Sequence, residues 1–145
     1  MVDYWPQEEG CVFDADAYIL PCRPDDAILE MSAVKVGTTV AGRISVLPSA
    51  AKGDGIGIAL KAATAAGAPS RIPVLFRGIA KVIADAQAAT AGVFAVNNIT
   101  TEFRDAATNV VGNLVLFTGA SYIMGMWLQS GAAGSDVLLL VGKTA

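Results

Sequence analysis

The sequence predicts an all-β protein, a small β-sandwich or barrel preceded by an extended N-terminal arm. From residue 31 onward, glycine interrupts short apolar runs at fairly even spacing, a pattern typical of sandwiches and barrels. The first of these runs alternates β-branched residues with others, as half-buried strands do. A chain of 145 residues that is 54% hydrophobic and 16% charged can bury a core without metals or disulfides and is not disordered. We therefore expect an acidic extended arm over residues 1–30 and a β-rich domain over residues 31–145.

The expected arm is set apart by its charge. Residues 1–30 contain eight acidic residues and one basic residue, whereas residues 31–145 contain five acidic and nine basic residues. Three of the six prolines lie in the arm and favour extended backbone, and the segment lacks the basic start of a signal peptide. We expect it to reach a basic surface of its own oligomer or of a partner; a solvated acidic strand is the alternative.

Large aromatic side chains are the expected anchors of this arm, because they bury the most area for each residue that becomes ordered. Acidic side chains would supply the attraction to a basic surface. The alternative is that the aromatic residues cover the edge of the domain's own core. The anchor residues are Tyr4, Trp5, Phe13, Glu8 and Glu9.

Both cysteines, Cys11 and Cys22, lie in the arm. Two thiols cannot complete a zinc site without further ligands, and the chain has no histidine. An oxidising compartment would allow a disulfide between them. Because no export signal is visible, we favour reduced, buried thiols.

The first elements of the body are expected between residue 34 and residue 68. Pro48 ends an alternating run of β-branched residues. Residues 59–66 are rich in alanine, which favours a helix, but neighbouring glycines and a proline leave too few turns for a stable one. A small-residue strand and turn is therefore preferred there. The expected order is strands at 34–40 and 42–46, a loop at 49–55 with Asp-Gly turn chemistry, and a short strand at 56–60.

Further apolar runs predict the remaining strands. Gly78 is expected to form a bend between the first two of them, and residues 85–90 to form a short helix or a turn. The expected strands are residues 72–76, 79–84, 93–99, 110–117, 122–128 and 137–141.

A faint internal repeat connects two parts of the body. In each part, a strand, a small-residue turn and a second strand follow one another, as in a hairpin-like unit. The two sets of segments are 57–60, 65–67 and 72–78, and 125–128, 132–134 and 137–142.

Residues 106–135 contain no charged residue, and a run of this length is long enough to cross a bilayer. Polar residues and glycines divide it into apolar runs of about five to seven residues, which is the length of strands. We therefore favour strands over a membrane segment.

The residues offer little for catalysis. The absence of histidine removes Ser-His and Cys-His arrangements and the commonest metal ligand. Glu102 and Asp105 flank Arg104, which is typical of a solvated surface cluster, and residues 53–57 lack the Lys-Ser/Thr of a phosphate-binding loop. A net charge of −3 argues against nucleic-acid binding. We expect no enzymatic activity, cofactor or metal site, and neither a nucleic-acid nor a membrane partner.

Residues 53–63 (GDGIGIALKAA), 72–82 (IPVLFRGIAKV), 125–128 (GMWL) and 134–142 (GSDVLLLVG) resemble small capsid decoration proteins, also called cement or head-stabilising proteins, of tailed bacteriophages and related viruses. The resemblance covers residues 31–145 and leaves out the arm. It implies a β-rich virion protein, made in the host cytoplasm, that forms a homotrimer on the capsid exterior. It would sit at three-fold or quasi-three-fold positions, bind the major capsid protein and stabilise the shell.

Two other functional classes remain open from the sequence. One is a different self-assembling β-rich shell or tail subunit, and the other is a small membrane protein that uses residues 106–135. The size of the assembly that the purified protein forms separates the first from a trimer, and extraction without detergent tests the second.

Overall fold

A computed structural model describes residues 17–37, 44–51, 53–98, 100–106, 108–111, 114–117 and 123–142. Within these residues the chain forms eleven β-strands and no helix, so the predicted all-β class is confirmed. The strands are β1 (Tyr18–Pro24), β2 (Ala33–Val36), β3 (Ser45–Pro48), β4 (Gly57–Ala59), β5 (Ile72–Ala84), β6 (Phe94–Asn97), β7 (Glu102–Asp105), β8 (Thr108–Val111), β9 (Leu114–Phe117), β10 (Gly125–Trp127) and β11 (Asp136–Val141).

Nine of the described strands form one sheet that closes on itself twice. β1, β3, β2, β4 and β5 pair in that order, and β5 pairs back with β1; this closed set is ring 1. β5, β11, β10, β6 and β7 pair in that order, and β7 pairs back with β5; this is ring 2. Each ring is a small barrel, one of the two predicted architectures, and closure pairs each of its strands on both sides.

β5 belongs to both rings. Its first half pairs with β1 and β4, and its second half pairs with β11 and β7. Between the halves, the register with β1 shifts by one residue, which leaves Phe76 as a bulge. Gly78 follows with a φ of 142°, which side chains other than glycine rarely allow. The prediction of two strands separated at Gly78 is therefore wrong, because the bulge and Gly78 bend one continuous strand of 13 residues without ending its pairing.

Each ring encloses an apolar core to which all five of its strands contribute. The ring 2 core contains Trp127 and Phe103, the two largest fully buried side chains in the described part of the chain. Ala33, Ile58 and Leu75 lie on strands of ring 1 but pack into the ring 2 cluster, so the two cores are joined. The ring 1 core residues on its strands are Cys22, Val34, Val46, Ala59, Ile72 and Val74.

Ring 2 repeats the topology of ring 1. The strands β1, β2, β3, β4 and β5 of ring 1 correspond to β5, β6, β7, β10 and β11 of ring 2. In both rings the first strand is parallel to the third, and the other pairings are antiparallel. β5 is thus the last strand of one repeat and the first strand of the next. The described strands β8 and β9 are an addition to the second repeat, between β7 and β10.

The equivalence of the rings extends to single hydrogen bonds. The Met31 amide donates to the Ala59 carbonyl at 2.7 Å, and the Gly92 amide donates to the Trp127 carbonyl at 2.9 Å. The chain is therefore an internal duplication, which confirms the repeat predicted from three segments and extends it to five strands. Further matched backbone pairs, ring 1 first, are Val34–Gly57 with Ala95–Gly125, Ile28–Ala63 with Ala89–Gly131, and Pro24–Gly67 with Ala84–Gly134.

β1 lies within the segment that the sequence assigns to the arm. It pairs with β3 and β5, and Cys22 and the later Ile28 are buried in the ring 1 core. Residues 18–24 are therefore part of the sheet. Residues 1–16 lie outside the described residues, and an arm there stays a prediction.

Neither of the two alanine-rich segments, 59–66 and 85–90, is helical. After β4 the chain continues in bends and turns with isolated bridges at Ala63 and Ala65, so the turn preferred at 59–66 is confirmed, whereas the strand preferred there ends at Ala59. Residues 85–90 contain a turn, in which the Gln87 amide donates to Asp85 Oδ1 at 2.7 Å. No helix in the described part of the chain has the length and apolar character needed to cross a membrane.

The single strand predicted at 110–117 is wrong, because two strands, β8 and β9, occupy this region as an antiparallel hairpin. The two residues between them in the sequence, Gly112 and Asn113, are of types favoured in two-residue hairpin turns. The apolar residues on both sides of Gly112 and Asn113 make the sequence resemble one continuous strand.

Candidate interaction surface

The segment after β3 covers one end of ring 2. The side chain of Asn97, at the end of β6, is fully buried there. Its Oδ1 accepts from the Gly55 amide at 3.0 Å, and its Nδ2 donates to Ser49 Oγ at 2.6 Å. The Gly53 amide donates to the Asn97 carbonyl at 2.9 Å. Because the polar groups of Asn97 find partners in residues 49–55, this segment closes the end of ring 2 without leaving them unsatisfied.

Asp54 holds the covering segment in shape. Its Oδ2 accepts from the amides of Ala50 and Ala51 at 3.2 and 3.1 Å, its Oδ1 accepts from the Ser49 hydroxyl, and Lys35 Nζ lies 3.7 Å from Oδ2. Burial acts to raise the pKa of Asp54, but these hydrogen bonds and the Lys35 ammonium together hold that pKa below its usual value. The segment is therefore most stable with Asp54 ionised.

The glycine-rich stretch predicted as a turn serves this contact. A Cβ added to Gly55 would lie 2.8 Å from Asn97 Oδ1, which is too close for ordinary packing. The backbone of the covering segment can approach the buried amide only because residue 55 has no side chain.

The corresponding end of ring 1 is exposed. Val36 on β2 pairs with Val46, as Asn97 on β6 pairs with Phe103, so Val36 is the ring 1 equivalent of Asn97. Val36 is 60% exposed, and Ile44, just before β3, is 54% exposed. We call Val36, Gly37 and Ile44 the open end of ring 1. Two apolar side chains stand in solvent where the other ring has a fully buried amide.

The β8–β9 hairpin is the second unusual feature. Within the described residues, its strands pair with each other and with no third strand. The register places Val110 opposite Val115, and the surrounding residues 106–135 carry no charge. A two-stranded hairpin is at best marginally stable by itself in water, and its outer edges offer unpaired backbone groups. Such an element is stabilised by binding to another surface.

A groove of about 490 Å³ lies beside β5, where the turn before β2 approaches the outer side of ring 2. It combines exposed apolar side chains, Leu29 and Ile83, with groups of both charges. The lining residues are Leu29, Glu30, Met31, Lys81, Val82, Ile83, Thr101 and Asp136.

No group of three or more potential metal ligands occurs in the described part of the chain, in this groove or elsewhere.

A buried ion pair links the end of β5 to β7. Arg104 Nε donates to Asp85 Oδ2 at 2.5 Å, and the Asp85 side chain is fully buried. The sequence predicts a surface cluster of Glu102, Arg104 and Asp105, but Arg104 forms its ion pair with Asp85. Sequence spacing gave no signal for this pair, because the parallel pairing of β5 and β7 brings the two residues together. The pair is structural, since it joins the strands that close ring 2.

The predicted anchors Tyr4, Trp5, Glu8, Glu9 and Phe13 lie outside the described residues, as does Cys11. Cys22 is fully buried in ring 1, its Sγ lies 3.7 Å from the Leu20 carbonyl oxygen, and burial raises the pKa of its thiol. Among the described residues, the candidate surfaces for interaction are the open end of ring 1, the β8–β9 hairpin and the groove beside β5.

Comparison with models of protein families and with curated proteins found no match to this chain.

Proposed function

We propose that this chain is a non-enzymatic virion protein that binds the outside of an icosahedral capsid and stabilises the shell. It would act as a homotrimer at three-fold or quasi-three-fold positions and contact the major capsid protein. The observation that carries the proposal is the uncharged β8–β9 hairpin, whose strands pair within the described residues only with each other, beside a body of two closed rings. A protein built in this way is suited to binding other protein surfaces.

Thermodynamic linkage explains how such binding would stabilise a shell. A protein that binds only across the joints of an assembled lattice adds its binding free energy to the intact shell and none to the separated subunits. Many copies acting together make the shell resistant even when each contact is modest. The expected acidic arm would add charge attraction to a basic partner surface.

The test uses purified full-length protein, empty heads of the virus whose genome encodes it, and separated major capsid subunits. We expect saturable co-sedimentation with the heads, no binding to the subunits, and a higher temperature of head disruption when the protein is bound. Heads already saturated with untagged protein are the control for specific sites. Absence of binding to heads, or equal binding to separated subunits, contradicts the proposal.

A further inference from the structure

We infer that the β8–β9 hairpin segment of one copy covers the open end of ring 1 in a second copy, in head-to-tail order. The contact inside the chain, where ring 1 covers an end of ring 2, would then have a counterpart between copies. The inference rests on the self-association that the proposed function includes, and it does not depend on capsid binding.

The first step is the equivalence of the two covered positions. The pairing registers place Val36 in ring 1 where Asn97 stands in ring 2. Asn97 is fully buried, whereas Val36 is 60% exposed within a single copy. The hairpin of the same chain therefore does not cover the open end of ring 1.

The second step identifies the covering segment. Asn97 is covered by residues 49–55, which follow the third strand of ring 1. The third strand of ring 2 is β7, and the segment that follows it, up to β10, carries the β8–β9 hairpin. In a duplicated fold, the hairpin segment is thus the equivalent of the segment that covers Asn97. The described residues form no third ring that could receive it, but ring 1 of another copy could.

The third step is chemical complementarity. Inside the chain a polar segment, with Ser49 and Asp54, covers a polar side chain, Asn97. At the proposed contact, apolar residues replace polar ones both on the covered surface and on the covering segment. The covered residues are Val36 and Ile44, and the covering segment is uncharged with a largely apolar hairpin. An apolar cover fits the two exposed apolar side chains, since burial of both surfaces is favourable. The Asp25 carboxylate beside Gly37 is only 12% exposed and is paired with Arg23.

A contact between two different surfaces of identical chains is heterologous. It closes into a ring when the rotation between copies allows, as in a trimer, and otherwise continues as a filament. Each copy then contributes one hairpin and one open end, and these two surfaces can be blocked separately.

The test uses two variants of the full chain. Val36→Asp blocks the open end, and Leu116→Asp blocks the hairpin at constant chain length. Each alone is expected to weaken self-association at least about 100-fold, because a carboxylate would be buried without a partner. Leu128→Asp is the matched control, since Leu128 is 40% exposed and follows β10 of ring 2, where its amide donates to the Leu138 carbonyl, whereas the open end lies on β2 and before β3; it should associate as the unchanged protein does. Circular dichroism and thermal unfolding of each variant establish that it is folded.

The decisive measurement mixes the two blocked variants and determines the native mass. Val36→Asp keeps an intact hairpin, and Leu116→Asp keeps an intact open end. We therefore expect a heterodimer with one copy of each variant and nothing larger. If Val36→Asp associates normally, or if the folded variants fail to combine, the head-to-tail contact is refuted. A variant that lacks residues 108–117 removes the hairpin in a second way. Mixed with Val36→Asp, it should form a heterodimer and nothing larger.

Capsid binding is measured separately on the same proteins. If the unchanged protein binds heads while Val36→Asp associates normally, the inference fails and the proposed function stands. If association depends on Val36 but the protein never binds heads, the proposed function fails and the inference stands.

Discussion

Met31 and Gly92 occupy equivalent positions in the two rings, and both have positive φ angles, 57° and 78°. Each donates its amide to the strand that precedes the last strand of its ring. The duplicated fold therefore requires a left-handed residue at this turn. Glycine meets the requirement without strain, whereas a residue with a side chain costs about 1–2 kcal/mol. Met31 offsets that cost by packing against the ring 2 core.

Gly92→Ala should lower the free energy of unfolding by about 1 kcal/mol. A Cβ added to Gly92 would meet no described atom within 4 Å, so the loss reflects backbone conformation alone. Gly92→Asn should lose less, because asparagine tolerates the left-handed region better. Urea unfolding of the three proteins checks the order, and equal stability of the alanine and asparagine variants would contradict it.

Arg104→Met should destabilise the fold by about 3 kcal/mol, because it leaves the buried Asp85 carboxylate without its ion-pair partner. The double variant Asp85→Asn with Arg104→Met should recover part of that loss, since no buried charge remains. A double-mutant cycle by denaturant unfolding measures the coupling. Additive losses would show that the two side chains do not act as a pair.

Acid should weaken the cover over Asn97 through Asp54. The pKa of Asp54 is lower in the folded protein, so its contribution to stability is complete above the unfolded pKa of about 3.9 and is lost as the pH falls through the folded value. Asp54→Asn should therefore flatten the dependence of the melting temperature on pH below about pH 4. Calorimetry from pH 2 to 7 tests this, and an unchanged slope below pH 4 counts against it.

Gly57→Ala and Gly125→Ala probe equivalent sites with different space. A Cβ on Gly57 would lie 2.9 Å from Val74 Cγ1 and 3.0 Å from the Leu75 carbonyl oxygen, whereas one on Gly125 would overlap the Leu140 carbonyl oxygen and lie 2.8 Å from its carbon. The overlap at Gly125 requires a larger shift of the paired strand than the contacts at Gly57 do, so we expect a loss of about 1–3 kcal/mol for Gly57→Ala and a larger loss for Gly125→Ala. Soluble yield and the urea midpoint rank the two variants by stability. A larger loss for Gly57→Ala than for Gly125→Ala would contradict the prediction.

Deletion of residues 2–14 should weaken capsid attachment or trimer formation, because it removes the predicted aromatic and acidic anchors of the arm. Co-sedimentation with heads and native mass are the measurements. A control in which Glu8 and Glu9 alone are changed to Gln separates the charge of the arm from its aromatic residues. A truncated protein that trimerises and decorates heads with unchanged affinity rules the arm out as an anchor.

The residue pattern predicted the fold class and the repeat because close backbone approach imposes glycine at matching places, such as Gly57 and Gly125. It did not predict that β1 joins the sheet, since acids and prolines obscure the alternation there. The Asp85–Arg104 pair and the exposure of Val36 could not be predicted either. The ion pair depends on which strands become neighbours, and the exposure of Val36 depends on which ring end is covered. The alternation of residues within one strand determines neither of these.

The shared strand makes the two rings one cooperative unit. β5 supplies one wall of each barrel, so neither core can be exposed to water by local fraying unless the other loses a wall as well. We therefore expect heat or mechanical load to melt the described body in a single all-or-none transition, although its core comprises two apolar clusters.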